Sequence, residues 1–185
     1  MQDNSRFDSQ YVNSHRGFTL VDVLVTTGVL GVLAGLAVPA YSNLMESDRR
    51  IAELNSLVAS LNYARAEAVK RNATLTVCPS TNGTSCSGGT DWSRGWVVVD
   101  SNTAGAPLQS APALTAGTTL SVTGSAKGLT FESTGRVMPM VGTTVTMCDA
   151  RGAAHAREIE VSSTGRVAAA QTVGHSLSGS PLRCS

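Results

Sequence analysis

The pentapeptide Ser-Thr-Gly-Arg-Val occurs twice in this chain, at 133–137 and again at 163–167. A glycine ahead of an arginine suits a hairpin tip, where a guanidinium can meet a backbone phosphate without reading a base. Arg151, Arg157 and Arg183 lie in the same third of the chain, and from Gly124 onward six basic side chains stand against four acidic ones, a net +2. Convergence of Arg166, Arg136, Arg157 and Arg183 about the Gly165 turn would make an anion site. The plainer reading is two ordinary hairpin turns with solvated arginines. A second chemical feature is Asp22, the one charged side chain in the 21 residues Phe18–Val38. An acid in so apolar a run is costly and points to function, although four residues from the edge it can also snorkel into the interface.

Four cysteines stand at 78, 86, 148 and 184, an even number in a Ser/Thr/Gly-rich region, which favours an oxidising compartment. Three pairings exist. Cys78 and Cys86 enclose Pro79, Asn82, Gly83 and Ser85, a turn-rich loop that a disulfide can close, so the spacing favours Cys78–Cys86 with Cys148–Cys184. A zinc site lacks any Cys-x2-Cys pair and any partnered histidine. His15, His155 and His175 occupy polar stretches with no motif that sets a nucleophile and an acid beside them. Asp91 and Asp100 flank a tryptophan-bearing strand as turn and strand-end residues, and no glycine-rich phosphate loop leads from a strand into a helix. The chain is expected to need no metal or cofactor and to catalyse nothing.

The elements that position these groups follow from periodicity. Phe18–Val38 is about long enough to cross the hydrocarbon core of a bilayer as a helix. A secretory signal peptide places its cleavage site after the apolar stretch; here residues 1–16 are polar, with Arg6, His15 and Arg16, and the processing point precedes it at Gly17. Gly28, Gly31, Ala34 and Gly35 permit close helix approach. Leu44, Ile51, Leu54, Leu57, Val58, Leu61, Ala64, Ala68 and Val69 then recur at three- and four-residue steps, predicting an amphipathic continuation. The predicted helix runs from Phe18 to about Arg71, with a bend or loosened turn near Pro39 and a left-handed end at Asn72.

From Thr74 the pattern changes to short β-like runs: 74–78, 95–100, 119–123, 129–131, 137–140, 143–148, 158–162 and 167–170. Val77, Trp96, Val98, Leu129, Val145 and Ile159 would cover the amphipathic helix, giving an α+β domain with an antiparallel sheet head, and residues 101–118 read as a loop. The expected divisions are a leader at 1–17, a membrane helix at 18–38, an amphipathic helix half at 39–72 and a β-rich head at 73–185. A formal charge of +1 and an aromatic share of 4% give no global reason for nucleic-acid binding.

Gly17 followed by Phe18-Thr19-Leu20-Val21 and an acid resembles the processing site of type IV prepilins and pseudopilins, with Gly31, Pro39 and Tyr41 at matching offsets. The resemblance implies a type IV pilin-like fold, cleavage by a prepilin peptidase between Gly17 and Phe18 and N-methylation of Phe18. It also implies a single-pass inner-membrane precursor with its head in the periplasm, which assembles with other pilins through the helix. Asp22, where the family carries the longer Glu, would pair with the amino terminus of a neighbouring subunit. Cys78-Pro79-Ser80, the small cysteine loop, the segment Asp91–Asp100 and Ser163–Val167 resemble the GspH/FimT branch of minor pilins and pseudopilins. Some minor pilins of that branch bind DNA during natural transformation through Gly-Arg-x-Arg, which implies DNA as a second partner for the head. Here the stretch reads Gly165-Arg166-Val167-Ala168, without the second arginine.

Overall fold

The computed structural model describes residues 17–103 and 105–184, with the backbone alone for residues 38–40. The chain divides into two compact units between Asp48 and Arg49. Helix α1, Leu20–Arg71, supplies residues to both. Residues 1–16 of the expected leader lie outside the described residues, as does the side chain of Pro39, through which the helical backbone continues.

In the first unit the helix starts two residues later than the apolar run because Thr19 caps it. The Asp22 amide donates to Thr19 Oγ1 at 3.2 Å, and the Thr19 amide donates to Asp22 Oδ2 at 3.0 Å. Such a reciprocal box satisfies two amides that a helix start leaves without partners. Thr26 and Thr27 turn their hydroxyls back onto the carbonyls of Asp22 and Val23, at 2.8 and 2.7 Å, so neither needs water. The large apolar side chains described from Phe18 to Met45 are all exposed. By length and composition this helix can cross a membrane.

The second unit has its own core. Leu54, Leu57, Leu61, Ala64 and Ala68 form the buried stripe of α1 against Val77, Trp96, Val98, Leu129, Val145 and Ile159. Leu44 and Val69, expected on the apolar face, are exposed instead, Val69 because it borders the outer turn of a hairpin rather than the sheet. Trp96 enters the core with its indole N–H donated to Ser60 Oγ at 3.0 Å, and Trp92 donates to the Ala126 carbonyl at 2.7 Å. Both buried rings thus keep a partner for their polar edge. The helix ends at Asn72, whose φ of 51° is left-handed. The Ala73 amide reaches the Ala68 carbonyl at 3.1 Å and the Asn72 amide reaches Val69 at 3.3 Å, a Schellman closure.

Among the described residues nine strands follow: β1 Leu75–Pro79, β2 Trp96–Asp100, β3 Gln109–Ala111, β4 Thr119–Thr123, β5 Leu129–Phe131, β6 Val137–Met138, β7 Thr143–Cys148, β8 Arg157–Val161 and β9 Val167–Ala169. They make two antiparallel sheets rather than one, ordered β3-β2-β1-β5-β6 and β4-β7-β8-β9. Two boundaries differ from the periodicity by more than one residue or in kind. The run 137–140 ends at Met138, since Pro139 has no amide for a ladder. The loop 101–118 contains β3, which pairs with β2 through Trp96↔Ala111 and Val98↔Gln109 although it lacks large apolar residues.

A buried polar knot holds the foot of the helix in this unit. Arg50, 5% exposed, donates to Glu53 at 3.1 Å and to Thr118, and lies 3.5 Å from Asp149, which Arg151 grips at 2.6 Å. Glu53 also accepts the Thr115 amide at 2.8 Å. Burial alone would raise both carboxyls, but hydrogen bonds from Thr115 and Arg50 hold Glu53 below its ordinary 4.5, and those from Arg151 hold Asp149 below 3.8. Disulfides join Cys78 to Cys86 and Cys148 to Cys184, with Cα separations of 5.5 and 5.9 Å.

Candidate functional site

The two Ser-Thr-Gly-Arg copies are the tips of the β5–β6 and β8–β9 hairpins, and they fold alike. The Gly135 amide donates to Glu132 at 2.8 Å while the Glu132 amide donates to the Arg136 carbonyl at 2.9 Å; Gly165 and Ser162 repeat this with Ser162 and Arg166 at the same distances. Both glycines are left-handed, with φ of 76° and 77°, the conformation in which a side chain is disfavoured. In each copy the glycine is buried and the flanking Thr and Arg are exposed.

The tips also touch each other. The Val137 amide donates to the Ser163 carbonyl at 3.1 Å, and a Cβ added to Gly165 would collide with the Gly135 carbonyl oxygen. Pairing of 135 with 165 and of 137 with 163 means that the two pentapeptides run antiparallel. Arg65 of α1 clasps both: its Nε donates to the Gly135 carbonyl at 3.1 Å, and a Cβ on Gly165 would lie 3.1 Å from that nitrogen. The edge strand β6 of one sheet and the edge strand β9 of the other are thereby joined over the helix. Arg65 belongs to no motif in the sequence; only the repeat itself hinted at this site.

Arg166 is exposed and borders two grooves. One, of about 520 Å³, lies between Ala168–Thr172 and the segment His175–Leu177 with Gly179; the other, of about 210 Å³, adds Glu160 and Ser162. Among the described residues neither Arg166 nor Arg136 forms an ion pair. The Arg136 guanidinium instead rests with Nη2 3.0 Å from Met140 Sδ.

Arg157 and Arg183 do not join this site. Arg157 opens β8 opposite Met147, four residues along the strand from Val161, where the Arg166 turn begins. Arg183 precedes Cys184, which is bonded to Cys148 at that same far end of the sheet. The expected convergence of four arginines is therefore corrected to two, because antiparallel β8 carries its ends about 13 Å apart. His175 faces the larger groove, with Nδ1 3.2 Å from the Val173 carbonyl. In the first unit a Cβ on Gly31 would meet nothing within 4 Å, so that position opens onto free space.

Known proteins match this arrangement over most of its length. The family model for the type II transport protein GspH matches residues 53–165, more than half of the chain. Crystal structures of the type IV minor pilin FimU of Pseudomonas aeruginosa superpose with a TM-score of 0.55 at 26% identity, covering 71% of this chain and 91% of that one. In a second crystal form of FimU the values are 0.54, 25%, 71% and 96%. The pilin-like protein PilA1 of Thermus thermophilus is 43% identical over 61 residues, which are 32% of this chain and 37% of the relative's length. A helix that leaves its apolar N-terminal part uncovered and roofs its C-terminal part with two antiparallel sheets is the type IV pilin-like fold, and this chain belongs to the GspH family of minor pilins and pseudopilins.

Proposed function

We propose that the chain is a low-copy structural subunit of a type IV pilus or a type II secretion pseudopilus. It is made as an inner-membrane precursor with its head in the periplasm, cut by a prepilin peptidase between Gly17 and Phe18, methylated on Phe18, and assembled through its helix. The observation that carries this reading is the unburied apolar unit, opened by the Thr19–Asp22 cap and attached to a GspH-family head. Exposed apolar side chains need a bilayer or other helices, and the open space at Gly31 suits close helix approach. Asp22 and Pro39 complete the assembly set, Asp22 by pairing with a neighbour's amino terminus. In cells containing a prepilin peptidase, intact-mass analysis is expected to find a chain beginning at methylated Phe18, and Gly17→Arg is expected to keep residues 1–17. A mature terminus elsewhere, or one indifferent to Gly17→Arg, overturns the processing step.

A second reading, a DNA receptor acting in natural transformation, is favoured by Arg166 standing exposed and without an ion pair among the described residues, at the edge of a groove lined by Gln171, Thr172, His175 and Ser176. Phosphate contact by such a guanidinium is sequence-blind and salt-sensitive. Electrophoretic titration with duplex DNA at graded salt is expected to show binding that weakens with salt and drops about tenfold in Arg166→Ala; no shift at low salt rejects this reading.

A further inference from the structure

The exposed turn between β5 and β6 holds a guanidinium against a thioether. Arg136 directs Nη2 to Met140 Sδ at 3.0 Å, although Glu132 stands across the turn with its amide on the Arg136 carbonyl and no ion pair joins those two side chains among the described residues. A thioether is a weak acceptor, so this bond adds little to stability. Its chemical effect is larger, because a thioether sulfur carries two lone pairs and the guanidinium covers one of them. The five methionines differ in what can reach their sulfur. Met140 is 57% exposed and Met138 41%, whereas Met147 in β7 is 3% exposed. Met45 belongs to the other unit, and Met1 lies outside the described residues. Met138 and Met140 are thus open to a dissolved oxidant in the unit that holds both disulfides, bonds that persist in oxidising surroundings.

We propose that Met140 is a reversible oxidation site and that Arg136 directs its product to one of the two sulfoxide epimers. A peroxide supplies the oxygen. A sulfur lone pair forms the S–O bond, the O–O bond breaks, and the proton left on the transferred oxygen passes to the departing hydroxide to give water. Sulfur is oxidised by two electrons and the peroxide is reduced by two. The lone pair under Nη2 is shielded, so oxygen arrives on the other one and the sulfur becomes a stereocentre of one hand. The Met138 sulfur has no such donor among the described residues and gives both epimers. Separate reductases act on the two epimers, each drawing on a dithiol that ends as a disulfide while the oxygen leaves as water, so Arg136 also selects which of them restores Met140. Oxidation places a polar, chiral group inside the exposed apolar run of Met138, Pro139, Met140 and Val141.

The test treats the folded full chain in detergent with dilute hydrogen peroxide and digests it. Fragment-ion mass spectrometry locates sulfoxide at each methionine, and dividing the digest between an S-specific and an R-specific sulfoxide reductase reads the epimer ratio. Sulfoxide is expected at Met138 and Met140 and not at Met147. One epimer is expected in about fivefold excess at Met140, the scale of one hydrogen bond, with near-equal amounts at Met138. In Arg136→Ala and in Arg136→Gln the Met140 excess is expected to vanish while Met147 stays protected, a sign that the core remains closed. The unchanged chain oxidised after unfolding in guanidinium chloride is expected to give near-equal epimers at both positions. Equal epimers at Met140 in the folded unchanged chain, an excess that survives unfolding or both Arg136 variants, or an unreactive Met140 beside an oxidised Met138 each overturn the proposal. Oxidation of Met147 as fast as Met140 in the folded unchanged chain overturns its premise that exposure selects the site.

Discussion

At the scale of single residues, two glycines decide how the head closes. Gly165 is left-handed and so close to Gly135 that a methyl group would strike its carbonyl oxygen, and Arg65 leaves no room to retreat. Gly165→Ala is expected to destabilise the chain by about 2 kcal/mol or more, read as a lower thermal midpoint of the full chain in detergent. Gly179→Ala makes a matched control: it is also left-handed, with φ 83°, but has open space around its Cβ, so it should lose only the backbone part of that cost. Glycine before arginine predicts a turn, and that much was legible in the sequence. That the two turns meet was not, because the contact joins residues thirty apart through backbone atoms that carry no sequence signal.

Among the elements, the foot of α1, the loop ahead of β4 and the end of β7 share the knot of Arg50, Glu53, Thr115, Thr118, Asp149 and Arg151. Glu53 and Asp149 both hold depressed pKa values when folded. Their contribution is therefore complete above the ordinary carboxylate values of 4.5 and 3.8 and is lost as pH falls through the lower folded ones. Thermal midpoints measured from pH 7 down to pH 2.5 are expected to fall most steeply below pH 4.5, and Asp149→Asn is expected to flatten that fall while lowering the midpoint at pH 7. The apolar stripe of α1, the Asn72 terminus and the strongly alternating strands could be read from periodicity, since burial enforces the pattern. Strand β3 could not, because Gln109–Ala111 is held by hydrogen bonds to β2 and not by burial. The charged knot was equally silent: Arg50 and Glu53 look like any solvated pair on a helix until Asp149 arrives from the other end of the chain.

For the molecule as a whole, the two units differ in what they bury and so answer to different chemical insults. Both disulfides and both tryptophans lie in the unit Arg49–Ser185, and Trp92 and Trp96 are buried there. Reduction is expected to remove about 2–5 kcal/mol of the stability reported by tryptophan fluorescence, while far-ultraviolet helicity from the first unit persists in detergent. Equal loss of both signals would show that the units are not independent. The contact between the hairpin tips has a consequence of another kind, for colloidal safety. A sheet margin with unpaired amides is a template for runaway association. Drawing β6 and β9 together at the helix ties off one margin of each sheet and leaves β3 and β4 as the outer ones. Strand β3 is three residues long and ends against Pro112, and β4 turns Thr119, Ser121 and Thr123 to water. A head built this way can wait as a lone subunit without recruiting copies of itself strand by strand, so growth of any larger assembly is left to the helix and to side-chain docking.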